Sequence, residues 1–159
     1  MSKGSDLMIK KAKSLIGASE SNGKAQALVM RPYNKLTGRS LNVKTCPWCQ
    51  IFIVSCEYTS GAVKKGKYSK TSGCLQALNW YKQKKRFKKR GVTPSPSWQV
   101  FYDFKGKGKP THTGVIVSRN TKKKTITVAE GNKSNKVAYR TISWNSKYII
   151  GYGLPYYIA

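Results

Sequence analysis

Hydrophobic periodicity changes character once along this chain, near Gly91, and that change limits the architectures open to it. Before Gly91 apolar residues recur at helical spacing; after it they alternate as in strands. Residues 5–16 carry Leu7, Met8, Ala12, Leu15 and Ile16 on one stripe and stop at Gly17. Residues 48–60 lie between Pro47 and Gly61, residue types that start and stop helices. A third helix is expected over 72–87, with Leu75, Leu78 and Trp80 apolar and a basic end that suits the helix dipole. Residues 19–40, rich in Ser, Asn and Gly, read as a loop with at most a short turn of helix. Strands are expected over 98–104, 113–118, 125–129, 137–142 and 148–153. Helices first and strands second specify an α+β chain, N-terminal helices packed on a C-terminal antiparallel sheet. The 159 residues read as one domain over 5–158, large enough to bury a core and leaving no room for a separate binding module.

Charge is the compositional outlier. Lys and Arg number 31 against five acids, a formal net charge of +26. Self-repulsion of this size points to a polyanionic partner: nucleic acid, anionic lipid or a phosphate-rich wall polymer. The acids are Asp6, Glu20, Glu57, Asp103 and Glu130. No two are close in sequence, which excludes a calcium loop built on clustered carboxylates. No apolar run reaches the roughly 18 residues of a membrane-spanning helix, and residues 1–16 lack the continuous apolar stretch of a secretory signal.

Three segments carry candidate chemistry. Cys49 opens the apolar run Gln50-Ile51-Phe52-Ile53-Val54-Ser55-Cys56. A thiol at a helix N-terminus meets unpaired N–H groups and the positive dipole end, which favour the thiolate. Position alone leaves a small buried residue as the commoner role for such a cysteine. His112, the single histidine, begins the β run Thr113-Gly114-Val115-Ile116-Val117, where a strand can hold its ring as a general base and acid. Glu130-Gly131-Asn132 closes a strand, and alternation would set Glu130 and Asn132 on one face. Either could accept a hydrogen bond from the histidine's second nitrogen and fix its tautomer.

Together these segments resemble the CHAP family, within the NlpC/P60 group of papain-like cysteine peptidases and amidases. Residues 47–56 are similar to the family's nucleophile helix, 112–117 to its histidine strand and 127–132 to its Glu-Gly-Asn strand. Gly151-Tyr152-Gly153-Leu154-Pro155-Tyr156-Tyr157 resembles the closing segment of phage lysins, and Ser14-Leu15-Ile16-Gly17 the opening helix. The resemblance implies a papain-like fold and a peptidoglycan hydrolase, cutting the muramoyl–L-alanine amide or a peptide bond of the stem or cross-bridge. Cys49 would be the nucleophile, His112 the base and acid, and Glu130 with Asn132 the orienting groups. The Cys49 N–H would supply part of an oxyanion hole, with Tyr33 a candidate for the second donor. No cofactor is implied, and the calcium-binding Asp cluster of some relatives is missing. Partners would be peptidoglycan and its anionic polymers, with nonspecific nucleic-acid affinity, and the chain would act as a monomer. Without a signal peptide it would be made in a host cytoplasm and released to the wall, phage-lysin-like, or exported by a dedicated system.

Other readings compete. Cys46 and Cys49 have zinc-ligand spacing, but no second close pair follows. Cys49 and Cys56 are seven residues apart on one helix, about 10 Å along its axis, too far to share a metal. A redox Cys-x-x-Cys would need a preceding strand, and residues 40–45 are polar. A Cys46–Cys74 disulfide is conceivable. The class-distinct rival is a basic nucleic-acid-binding protein, using residues 81–90 as a basic helix end and Trp98, Phe101 and Tyr102 to stack bases.

Overall fold

In the computed structural model, which describes residues 1–159, six strands form one antiparallel sheet and the helices pack against it. The helices are α1 (Lys3–Ser14), α2 (Arg31–Thr37), α3 (Cys49–Ser60) and α4 (Cys74–Gln83). The strands are β1 (Phe87–Lys89), β2 (Gln99–Tyr102), β3 (His112–Asn120), β4 (Thr125–Lys133), β5 (Lys136–Ser143) and β6 (Ile149–Gly153), in the order β1-β6-β2-β3-β4-β5. The α+β class read from the sequence is the observed one. No helix is long and apolar enough to cross a membrane.

Two segments differ from expectation. Residues 19–40 hold a π-helical turn, Gln26–Met30, running directly into α2. Ala25, Val29, Met30 and Tyr33 are fully buried and make a stripe hidden among polar neighbours. The wider turn also seats Pro32 at the start of α2, where its missing N–H costs little. The second difference is α4, which stops at Gln83 rather than Phe87. Lys85 takes a left-handed φ of 57°, and Phe87–Lys89 becomes β1 on β6. Continuing the helix would stack Lys82, Lys85, Lys89 and Arg86 at like-charge spacing. In the turn, Arg86 instead donates to the carbonyls of Leu154 and Pro155 at 2.6 and 3.0 Å.

Strand alternation sorts the sheet's side chains into two layers. Val115, Val117, Ala129 and Val137 join the core shared with α1, α2 and α3. Val100, Tyr102, Ile116, Ile126, Val128 and Tyr152 build a smaller core on the opposite face. Helix α3 is the centre of the first layer: every residue from Cys49 to Glu57 is buried. Its opening turns lie directly on β4 because position 131 is glycine. A Cβ there would overlap the side chains of Phe52 and Trp48. Trp48, just ahead of the helix, is fully buried and donates from Nε1 to Glu20 Oε2 at 3.1 Å.

A buried polar hub ties the same elements together. Gln99 Nε2 donates to Gln50 Oε1 at 2.6 Å and to Thr113 Oγ1 at 2.8 Å, while its Oε1 accepts from the Tyr81 hydroxyl at 3.2 Å. Thr113 passes its own proton to the Val100 carbonyl. Residues adjacent to Cys49 and His112 are thus cross-linked to α4 and β2. Gly131→Ala is expected to force α3 off β4 at an overpacking cost of about 1–3 kcal/mol. Thermal unfolding should register this as a drop of about 2–4 °C per kcal/mol, and an unchanged midpoint would refute the close-approach role.

Candidate active site

Cys49 is the first residue of α3, and no side chain caps that helix. Its first-turn N–H groups are therefore available to the sulfur, and the Gln50 N–H donates to it. The residue is 8% exposed, enough for a small reactant at the surface of the site. His112 begins β3, and its Nε2 lies 2.9 Å from Glu130 Oε1 on β4. With Glu130 ionised, Nε2–H is the donor, which leaves Nδ1 to serve the thiol. Glu130 is wholly buried, and its second oxygen accepts from Arg140 Nε on β5 at 2.8 Å.

The sequence accounts for this line of charges. Positions 112, 130 and 140 fall on the sheet face of Ile116 and Val128. Gly114 leaves the crossing clear: a Cβ there would sit 2.7 Å from Glu130 Cγ and 2.5 Å from Val128 Cγ1. Beneath the line is an aromatic floor. Tyr102, the cross-strand partner of His112, stacks on its ring at 6.0 Å and 19°, and Phe104 stacks on Tyr102 at 4.8 Å. The Arg140 guanidinium lies over Phe104 at 4.7 Å.

Electrostatics make the thiol and the ring an ion pair. The neighbouring Cys74 thiol, then His112 and the Gln50 N–H, outweigh the cost of burial and hold Cys49 down to about 5. For His112, burial opposes the charged ring, but hydrogen bonding and charge from Cys49 and Glu130 overcome it and raise it to about 9. Burial also opposes ionisation of Glu130, yet His112 and Arg140 keep its carboxyl below the usual range. Between these limits the stable state is thiolate beside imidazolium, the form that attacks a carbonyl carbon and then protonates a leaving amine.

The four candidate residues do not all converge. His112 and Glu130 are hydrogen-bonded, and Cys49 lies close enough to His112 for the two to shift each other's ionisation. Asn132 does not join them: the β4–β5 register shifts after Glu130, Asn132 takes a φ of 57°, and its side chain makes no hydrogen bond to His112. The alternation that would have paired it with Glu130 ends at this bulge. Tyr33 is likewise spent elsewhere, buried and donating to the Lys70 carbonyl at 2.7 Å. Cys46 turns to the Pro47 carbonyl, so a Cys46–Cys74 pair is not formed; Cys74 Sγ lies 3.5 Å from Cys49 Sγ instead. No three His, Cys, Asp or Glu side chains are grouped to hold a metal ion. Arg140 was not singled out in the sequence, and Cys74 was weighed only as a partner of Cys46, because only register and helix packing bring them here. A depression of about 660 Å³ beside the site is lined by Phe104, Arg140, Ser143 and Tyr148 among others, though neither Cys49 nor His112 reaches it.

The nucleic-acid rival keeps one half-buried residue, Trp98, of its three stacking candidates. Phe101 and Tyr102 are fully buried, and Trp98 packs on Tyr152 at 5.8 Å. Arg90 in the basic run is tied to the carbonyls of Ser146 and Ile149.

Ionisation of the pair is directly measurable. Alkylation of Cys49 by iodoacetamide should follow its thiolate, falling as pH drops through about 5, and already fast at neutral pH. The His112 proton should titrate near 9, moving down toward the ordinary imidazole value in Glu130→Gln, which removes one of the two groups that raise it. An alkylation inflection near the free-thiol value of about 8.5 would refute the ion pair.

No family model matches the sequence, and no curated protein matches it. Solved structures similar to it include an N-acetylmuramoyl-L-alanine amidase from Staphylococcus aureus, 15% identical, covering 74% of this chain and 38% of that one with a TM-score of 0.46. Another is Ly7917, 12% identical, covering 95% of this chain and 62% of that one with a TM-score of 0.42. The chain thus spans less than two thirds of either.

Proposed function

We propose that this chain is a cysteine-dependent amide hydrolase of bacterial peptidoglycan, either an N-acetylmuramoyl-L-alanine amidase or a wall-peptide endopeptidase. The observation that carries the reading is Cys49 at an uncapped helix N-terminus, close enough to His112 for each to shift the other's ionisation, with His112 hydrogen-bonded to the buried, Arg140-held Glu130. Cys49 Sγ adds to the amide carbonyl carbon, and the Cys49 N–H takes part of the developing oxyanion charge. The His112 imidazolium gives its proton to the amine as the carbon–nitrogen bond breaks, leaving a thioester. His112, now neutral, draws a proton from water, whose oxygen displaces the thiolate and releases the acid. Glu130 and Arg140 are positioning residues, holding the ring so that one nitrogen serves the sulfur.

The substrate class is supported by the CHAP-like segments around Cys49, His112 and Glu130 and by the charge of +26. The lysines are spread along the chain, which suits adsorption to an anionic wall polymer. Release to the wall through a pore made by another protein, or by a dedicated exporter, follows from that substrate.

Cys49→Ala and Cys49→Ser should abolish turbidity loss of purified walls while leaving the fold intact by circular dichroism. Activity in these variants, with loss in Cys46→Ala instead, would reassign the nucleophile. Glu130→Gln should slow cleavage more than Asp103→Asn, because Asp103 only caps its own loop by accepting from the N–H groups of Lys105, Lys107 and Gly108.

Adsorption through charge makes a separate prediction. Binding to walls should weaken steeply with salt through counterion release, while cleavage of a small soluble muropeptide should change little. Equal binding to native walls and to walls stripped of anionic polymer would detach the charge from this role.

A further inference from the structure

Cys74 has no part in the hydrolytic steps, yet its sulfur lies against the sulfur of Cys49 at 3.5 Å. The contact joins two helix N-termini. Cys74 is the first residue of α4 as Cys49 is of α3, and neither helix has a side-chain cap. The Gln50–Gln99–Tyr81 hydrogen bonds brace those two helices together one layer below. The remaining thiols are elsewhere: Cys56 is fully buried within α3, and Cys46 is turned to the Pro47 carbonyl. All four cysteines are free.

We propose that Cys49 and Cys74 form a reversible disulfide under peroxide, so that the candidate nucleophile is switched off by oxidation and restored by a dithiol. The regulatory meaning rests on the hydrolase reading above; the sulfur chemistry does not. The sulfurs are already in contact, and bond formation asks that they close to about 2.05 Å with a Cβ–S–S–Cβ dihedral of about 90°. In the first step the Cys49 thiolate attacks one peroxide oxygen. The O–O bond breaks, Cys49 becomes a sulfenic acid, and the departing oxygen leaves as water after taking a proton. In the second, Cys74 attacks the Cys49 sulfur, giving up its own proton, and the sulfenic hydroxyl leaves as a second water. The two thiols lose two electrons and two protons, and the peroxide is reduced. A dithiol reverses this: one of its thiolates attacks the disulfide, and its second thiol resolves the mixed disulfide, restoring both cysteines.

This arrangement has a protective consequence. A nucleophile with strong thiolate character is the thiol most exposed to oxidation beyond the sulfenic stage, where recovery ends. Cys74, in contact, captures the sulfenic acid before a second peroxide does.

The test uses the full chain, reduced and then treated with hydrogen peroxide, with peptide mass mapping and wall cleavage read side by side. The mapping should show a Cys49–Cys74 link, and cleavage should fall to the level of Cys49→Ala and return with dithiothreitol. In Cys74→Ser, peroxide should give sulfinic or sulfonic Cys49, and the lost activity should not return. A link from Cys49 to Cys46, or sulfinic Cys49 in the unaltered chain at the same peroxide dose, overturns the proposal. The two readings fail separately. A Cys49–Cys74 link in a chain that leaves walls uncut when fully reduced sustains the pairing and refutes the hydrolase. Walls cut by a chain that never forms the link refute the pairing alone.

Discussion

A carboxylate buried without exposure is the constraint on which this site depends. Glu130 is tolerable inside the protein only because His112 takes one of its oxygens and Arg140 the other. An unpaired charge there would cost several kcal/mol, so β3, β4 and β5 are bound to one register by their shared need to satisfy it. The same carboxylate orients the imidazole and stabilises its proton. Gly114 and Gly131 serve this demand from opposite faces: the first clears the path of the Glu130 side chain across β3, and the second lets α3 descend on β4. The short Glu-Gly-Asn segment therefore carries two separate requirements, one electrostatic and one steric.

The strongly cationic composition acquires a local meaning in that setting. Of five acids, Glu130 holds the ring, Glu20 anchors Trp48 ahead of α3, and Asp103 caps a surface loop. Glu57 is buried on α3, and burial pushes its carboxyl up to about 8. Little negative charge is left to oppose a thiolate at Cys49. A chain with this excess of positive charge also favours its own anionic groups. The buried state of Phe101 and Tyr102 removes two of the three aromatic residues that could have stacked bases.

What could be read from the sequence follows from how locally each feature is determined. Helix α3 was legible because Pro47, Gly61 and a continuous apolar run mark it without reference to anything distant. Cys49, His112 and Glu130 were legible as segment starts and ends. Asn132 was misplaced because alternation says nothing of where a bulge will interrupt it, and the shift after Glu130 depends on pairing with β5. Strand β1 was not foreseen, and the expected helix ran on to Phe87, because three residues, Phe87 to Lys89, acquire strand structure only from a partner more than sixty residues downstream in β6. The stripe of Ala25, Val29, Met30 and Tyr33 was masked by the polar residues between them and by the irregular period of a π turn.

Cys74 shows the same limit and also what lies beyond it. Nothing near position 74 marks it as chemical, since its significance is wholly a matter of where α4 begins relative to α3. Once both helices start at the same point, their exposed N–H groups create a place where negative sulfur is favoured, and two sulfurs occupy it. The contact helps to hold Cys49 as a thiolate, while its partner is pushed well above the ordinary thiol range by the adjoining sulfur and by burial. Only one of the pair can be ionised, because like charges in contact are repelled. That asymmetry makes Cys49 the more nucleophilic sulfur of the two, and in the proposed oxidation Cys74 responds to what Cys49 has become. The nucleophilicity of Cys49 and its proposed vulnerability to oxidation thus rest on one piece of geometry, and a change that lowers either by moving α4 should lower both.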